Sequence, residues 1–209
     1  RTALQRQIRA DSRAWNQQIS LQGEHDEVQD AVEHAANAQL AYASVLISVA
    51  RKAFPDDWRS LKIYVPTIAC WVGYDLDGRA DIHWSQSLTF RLTEKAVQLG
   101  RYAAQLEAIS GSQKIGPLAK LTQRLKTAAE DTAGHAALFA ADLTDPDNLV
   151  PAANALTAPS KRSVLDASEI VDVLDEVIAT AEDGLAAKLM AIRAQVEALQ
   201  LGTARIHLR

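Results

Sequence analysis

The sequence has 209 residues, of which 48% are hydrophobic and 23% charged, an ordinary globular composition that argues against disorder of the whole chain. Its formal net charge of -4 leaves no basic excess for binding a phosphate backbone, so nucleic acid is not an expected partner. The one cysteine, Cys70, excludes an intramolecular disulfide, and no apolar run reaches the roughly 18 residues of a membrane span. We therefore expect a cytoplasmic protein without a membrane partner.

Long stretches rich in Ala, Leu, Gln, Glu and Lys, with only 9 Gly and 6 Pro in the chain, favour an all-α fold. Five segments place apolar residues at helical spacing, namely residues 2–21, 26–53, 84–110, 117–141 and 166–200. The first two are separated near Gly23, and Gly184 is a point where the last helix can bend. We predict a single helical domain over residues 1–209, an antiparallel bundle with a few short extended segments.

Three segments are predicted not to be helical. Residues 61–72 alternate in a β-like way before Pro66 and continue as a short apolar run, which favours extended structure. Residues 203–209 also alternate, and because a lone strand has no partner, we assign it to a sheet or barrel outside this chain. Residues 142–163 contain three prolines among Asp, Asn, Thr and Ser, which predicts a long loop with at most one helical turn.

The segment from Trp71 to Arg79 is the chemically unusual part of the sequence. Two carboxylates separated by one residue, Asp75 and Asp77, lie between glycines that permit positive φ and close approach of a ligand to the backbone. Such a loop can bind a cation or orient a cationic side chain, although the later oxygen ligands and closing Glu of a calcium loop are missing. The alternative is an ordinary turn whose Asp side chains cap backbone N–H groups of the next helix.

The histidines and the cysteine are expected to have structural roles. No two histidines are three or four residues apart, so surface or hydrogen-bonded histidines are expected rather than a metal site. They are His25, His34, His83, His135 and His207. Cys70 lies in an apolar run, where a buried and inert thiol is expected because nothing indicates the nearby positive charge that would lower its pKa. We expect no metal to be bound by this chain alone.

The order of these segments resembles that of the phosphoenolpyruvate carboxylase family: a long helix, a proline-containing apolar run, the loop, and a long helix rich in Leu and Arg. The family loop reads roughly Ser-Trp-Met-Gly-Gly-Asp-Arg-Asp-Gly-Asn-Pro, and the positions that match it are Trp71, Gly73, Asp75, Asp77 and Gly78. Residues 201–209 resemble the family's strand of the type Phe-Gly-…-Leu-x-x-Ile-Asp-Ile-Arg-Gln. The likeness covers most of the chain in layout and is specific at these two motifs.

The resemblance implies a helical part of a larger, mostly helical α/β-barrel enzyme. That enzyme would be a lyase of carbon fixation, adding bicarbonate to phosphoenolpyruvate with Mg²⁺ to form oxaloacetate and phosphate. Trp71 would be a wall of the substrate pocket, and Arg209 would bind the substrate phosphate, for which a guanidinium is suited. The residues that would organise the loop are Gly73, Asp75, Asp77 and Gly78. The implied partners are the two substrates and the remainder of the parent chain, and a homo-oligomer is compatible with the sequence.

Departures from the family pattern lead to a second hypothesis. The second loop glycine of the family is Tyr74 here, the Arg between the aspartates is Leu76, and the Asn-Pro that follows is Arg79-Ala80. The family's catalytic His segment (Thr-Ala-His-Pro-Thr-Glu), its metal-binding carboxylates and its later Gly- and Arg-rich loops are missing, so this chain alone is not expected to be catalytic. The alternatives are a non-catalytic helical scaffold or interaction domain of a diverged relative, and an unrelated adaptor whose loop matches by chance. The start of the sequence shows no initiator Met or signal pattern, so we expect it to come from a longer chain.

Overall fold

The computed structural model describes residues 20–78, 80–110, 115–158 and 160–206. Within these ranges the chain is mostly helical, as predicted, with two short strands. The helices are α1 (Leu21–Ala53), α2 (Trp84–Ser110), α3 (Gly116–Phe139), α4 (Pro146–Thr157), α5 (Ser168–Thr180) and α6 (Asp183–Leu199). The strands are β1 (Ala69–Cys70) and β2 (Arg205–Ile206), and a 3-10 turn covers Trp58–Ser60. None of the described helices combines the length and the apolar character needed to cross a membrane.

The helices pack side by side around a shared core. α2 and α3 form an extensive hairpin, α6 packs on both α1 and α5, and α3 also contacts α5. Because helices joined by a short segment and packed along each other run in opposite directions, the α2–α3 and α5–α6 pairs are antiparallel. Leucines from four helices, Leu99, Leu125, Leu174 and Leu189, are fully buried in this core.

Helix α1 begins earlier than the sequence predicted. Ser20 caps it, because its Oγ accepts a hydrogen bond from the Gly23 N–H at 3.1 Å. Gly23 therefore belongs to the first helical turn, and the boundary predicted there is wrong. A Cβ on Gly23 would lie only 3.3 Å from the Ser20 hydroxyl, so the missing side chain leaves room for the cap. The rest of the first predicted helix, residues 2–19, lies outside the described residues.

The long loop predicted over residues 142–163 contains helix α4. Asp145 caps this helix by accepting a hydrogen bond from the Asp147 N–H, and Pro146 follows at the first helical position, where no intrahelical N–H bond is lost. Pro151 lies inside the helix and removes one backbone donor without ending it. The loop prediction is wrong for these 12 residues because a proline breaks a helix at some positions and starts it at others.

The last predicted helix is two helices. Ala181 and Glu182 have extended backbone, with ψ of 156° at each, and separate α5 from α6. Glu182 then caps α6, since its carboxylate accepts hydrogen bonds from the N–H groups of Gly184 at 2.7 Å and Leu185 at 2.6 Å. The break therefore lies just before Gly184, and a capping carboxylate marks the new start.

The two strands pair in parallel, with Ala69 opposite Arg205 and Cys70 opposite Ile206. The backbone N–H of Arg205 also donates to the carbonyl of Ile68 at 2.8 Å. The expectation that the second strand has no partner in this chain is therefore wrong, because alternation along a sequence does not reveal pairing between distant segments. Cys70 is buried, as predicted, whereas residues 61–65 form no strand.

Candidate functional site

The loop over residues 71–78 begins directly after β1. Because β1 and β2 are parallel, both strands end on the same side of the pair, where this loop starts. The N–H of Tyr74 donates to the carbonyl of Trp71 at 2.9 Å and closes a turn. Trp71 is 58% exposed and Leu76 is 49% exposed, so the loop presents two large apolar side chains to its surroundings.

Gly73 holds this loop against α2. Its φ is 87°, a conformation that side chains with a Cβ rarely adopt. A Cβ at this position would also lie 2.5 Å from Cδ2 of the Phe90 ring. The Gly73 carbonyl accepts a hydrogen bond from the Ser87 hydroxyl at 2.6 Å. Glycine is therefore required here both for the backbone conformation and for the close approach to the helix.

Tyr74, which stands where the family pattern has a glycine, points inward. It is buried together with Leu21 and Phe90, and its hydroxyl donates to Oε1 of Glu94 at 2.9 Å. Burial raises the pKa of the Tyr74 phenol far above its ordinary value, and the negative charge of Glu94 raises it further. The phenol therefore stays protonated and serves as a hydrogen-bond donor that anchors the loop.

Glu94 is a buried carboxylate with a 2% exposed side chain, and it accepts hydrogen bonds from several parts of the fold. On Oε1 the donors are Tyr74 at 2.9 Å, His25 Nε2 at 3.0 Å and Gln29 Nε2 at 3.3 Å. On Oε2 the donor is Arg91 Nη1 at 3.4 Å. A carboxylate removed from water is stable only when donors replace its hydration, and here they come from the loop, α1 and α2.

Arg91 and Gln29 connect this network to the residues just before β2. Arg91 Nη1 also donates to the carbonyl of Ala204 at 3.4 Å, and its guanidinium occupies the space that a Cβ on Gly202 would need. The Thr203 hydroxyl donates to Oε1 of Gln29 at 2.8 Å. Hydrogen bonds thus connect both the loop after β1 and residues 203–204, just before β2, to α1 and α2. Tyr74, Gln29 and Arg91, which make these connections, all donate to Glu94.

His25 lies inside α1 against the same carboxylate. Its ring stacks on Phe90 with a centroid separation of 4.0 Å and an interplanar angle of 7°. A carboxylate can only accept hydrogen bonds, so the Nε2 of His25 is the donor to Glu94. This proton position is assigned from the hydrogen-bond partners around Glu94. The prediction of a hydrogen-bonded histidine therefore fits Nε2, while Nδ1 has no hydrogen-bond partner.

The two loop aspartates have different surroundings. Asp75 is half-buried, and its carboxylate lies so close over Gly78 that a Cβ there would overlap it, whereas Asp77 is exposed. Across the part of the chain that the structure describes, no three His, Cys, Asp or Glu side chains group as a metal ion requires. The family resemblance assigns the ligands of Mg²⁺ to other parts of the parent protein. Arg209, the predicted phosphate ligand, lies outside the described residues.

Sequence reasoning missed Arg91 and Glu94, which organise the loop from inside, and it did not connect His25 with the loop. One signal was available for Glu94. It lies four residues after Phe90 and four before Gln98, and all three are buried on one face of α2. An acidic residue in the inward stripe of a helix indicates a buried polar network, because it cannot be stable there without donors.

Neither the protein-family models nor the curated proteins nor the solved structures contain a match to this chain.

Proposed function

We propose that this chain is a helical part of a phosphoenolpyruvate carboxylase-like protein. In this proposal the remainder of the parent chain supplies an α/β barrel, the catalytic His segment and the Mg²⁺ ligands. The loop over residues 71–78 contributes to the site where bicarbonate and phosphoenolpyruvate react to give oxaloacetate and phosphate. When bound, Mg²⁺ would stabilise the negative charge that develops on the substrates.

The observation that carries the proposal is the exposed indole of Trp71 on a firmly held loop. The indole is 58% exposed at the end of β1, while Gly73 and Tyr74 fix the residues that follow it. A rigid aromatic surface beside the ends of two parallel strands suits a pocket wall, which excludes water from reacting groups without taking part in the chemistry.

The departure at Tyr74 is compatible with this role because the side chain points away from the exposed surface of the loop. The hydroxyl is occupied by Glu94, so the phenol neither blocks Trp71 nor offers a group to a substrate. Leu76 is 49% exposed and carries no charge, so the loop provides no cation for a phosphate between its aspartates. In this proposal the phosphate is bound by Arg209 and by residues of the parent chain.

A second candidate is a non-catalytic scaffold or interaction domain. Helix α1 presents an exposed apolar stripe, with Tyr42 48%, Val45 61% and Val49 58% exposed at helical spacing. An apolar helix face of this kind is typical of a surface that packs on another protein or domain. The stripe fits both candidates, since a barrel of the parent chain would also need a surface to pack on.

Oxaloacetate formation by the full-length protein tests the proposal. We expect turnover of phosphoenolpyruvate that depends on bicarbonate, and we expect Trp71→Ala to lower kcat/KM by about tenfold or more, which is about 1.4 kcal/mol. Tyr64→Ala is the matched control, because Tyr64 is an aromatic residue that is 80% exposed outside the loop. Absence of bicarbonate-dependent oxaloacetate would sink the carboxylase proposal and leave the scaffold.

A further inference from the structure

The exposed apolar stripe on α1 is longer than its three large side chains. Three exposed alanines continue it toward the start of the helix, so that the α1 stripe has six members: Ala31, Ala35, Ala38, Tyr42, Val45 and Val49. The spacing between successive members alternates between four and three residues. This alternation keeps a row of side chains facing a second helix that packs along the first. At about 1.5 Å per residue the row is about 27 Å long.

The α1 stripe is complementary to itself. Its first half consists of alanines, and its second half consists of the larger Tyr and Val side chains. Two copies of α1 that run in opposite directions about a two-fold axis at residue 40 bring the small half of each onto the large half of the other. The facing pairs are then Ala31 with Val49, Ala35 with Val45, and Ala38 with Tyr42. One alignment therefore places an alanine opposite every large side chain, as close packing of two helices requires.

The charges on α1 favour the same direction. The bases of this helix, Arg51 and Lys52, lie in its last turn. Arg51 is paired with Asp183 at 3.1 Å, whereas Lys52 is exposed. The acids of the helix all lie in its first half, namely Glu24, Asp26, Glu27, Asp30 and Glu33. An antiparallel pair places Lys52 of each copy beside Glu27 of the other, while a parallel pair would bring like charges together, which is unfavourable.

We propose that the α1 stripe binds a second copy of this chain, with the two α1 helices packed antiparallel about a two-fold axis near Leu40. A two-fold interface uses the same surface on both copies, so that surface must be complementary to itself. Another domain of the parent chain could also cover apolar side chains, but it would need no match between the two halves of the stripe. The pairing is independent of the carboxylase proposal, since it uses no loop residue and its failure would leave oxaloacetate formation unchanged.

Disulfide formation between two cysteine variants of the full-length protein tests the register. Ala35→Cys and Val45→Cys place their thiols opposite each other only between copies, so an oxidised mixture of the two variants is expected to give a covalent dimer. Either variant alone is expected to stay uncrosslinked, because each new thiol then faces an unchanged residue. A mixture of Ala31→Cys with Val45→Cys is the matched control, since its thiols are offset by four residues, or about 6 Å along the helix.

Sedimentation over a range of protein concentrations measures the strength of the pairing. Val45→Glu is expected to weaken dimerisation by about tenfold or more, because its carboxylate would be buried opposite Ala35. Asn37→Glu adds the same charge at an exposed position of α1 outside the stripe and is expected to have little effect. Three results would each overturn the proposal: no covalent dimer from the mixture of Ala35→Cys with Val45→Cys, an equal yield from the offset mixture, or equal dissociation constants for Val45→Glu and Asn37→Glu.

Discussion

Tyr74 and Glu94 form a buried hydrogen bond, with 2.9 Å between the phenol oxygen and Oε1, that connects the loop after β1 to the middle of α2. The carboxylate is also shared with His25, Gln29 and Arg91, so the position of the loop depends on side chains from two helices. Tyr74 is the most conspicuous departure from the phosphoenolpyruvate carboxylase pattern. Its structural role gives that departure a physical reason without making it a substrate contact.

Removal of the Tyr74 hydroxyl is expected to destabilise the protein. In Tyr74→Phe the ring still fills its space, but Glu94 loses one of its donors inside the fold. The free energy of unfolding should fall by about 1–3 kcal/mol, the usual cost of a lost hydrogen bond to a buried charged group. Tyr64→Phe is the control, because Tyr64 is 80% exposed, and its effect should be within about 0.5 kcal/mol. Urea unfolding curves measure both, and equal values for the two variants would contradict the anchoring role.

Gly73→Ala and Gly100→Ala are expected to change stability in opposite directions. At Gly73 the new methyl group meets the Phe90 ring and the backbone has φ of 87°, so a loss of about 1 kcal/mol or more is expected. Gly100 lies inside α2 with open space around it, so alanine should stabilise the helix by up to about 1 kcal/mol. Thermal unfolding of the two variants checks this, and a neutral or stabilising Gly73→Ala would show that the loop conformation is not fixed by glycine.

Stability is expected to fall at alkaline pH because of two buried phenols. Burial raises the pKa of Tyr102 and, together with the Glu94 charge, that of Tyr74, so both stay protonated in the folded protein above the ordinary value of about 10. The unfolded chain releases these protons near pH 10 and the folded chain does not. The stabilisation is therefore complete below about pH 10 and is lost as the pH rises toward the folded values.

Urea unfolding between about pH 8 and pH 11 measures this loss. The decline above about pH 10 should become shallower when Tyr74 and Tyr102 are both replaced by Phe, because the variant has fewer protons to release on unfolding. The free energy of unfolding of each protein is compared with its own value at the lowest pH, which removes the constant cost of the substitutions. Parallel declines in the two proteins would contradict the assignment to these phenols.

Much of the helical structure follows from apolar spacing along the sequence. The helices starting near Trp84 and Pro117 begin and end close to the predicted residues, because long amphipathic segments with clear breaks carry strong local signals. The errors lie at prolines and glycines, which occur both at the starts and at the ends of helices. Pro146 starts a helix instead of ending one, and Gly23 lies within a first turn instead of after a last one.

The inner side of the candidate site was not predictable in the same way. His25 and Glu94 come from different helices, and their contact depends on how α1 and α2 are aligned in the fold. The parallel pairing of Ala69 with Arg205 likewise joins distant segments that show only weak local alternation. The loop motif could be located from its spacing, but the anchors that hold it required the tertiary structure.

The pairing of β1 with β2 also has a consequence for the order of folding. A contact between residues near 69 and residues near 205 closes a loop that contains most of the chain. Closing this loop costs conformational entropy, and that cost is reduced only after the segments in between are ordered. The helical hairpins, whose contacts are local, should therefore form first and the strand pair last. During synthesis the strand pair can form only after residues 205 and 206 have been made, so this side of the candidate site is completed late, whereas the contacts of the loop with α2 are available earlier.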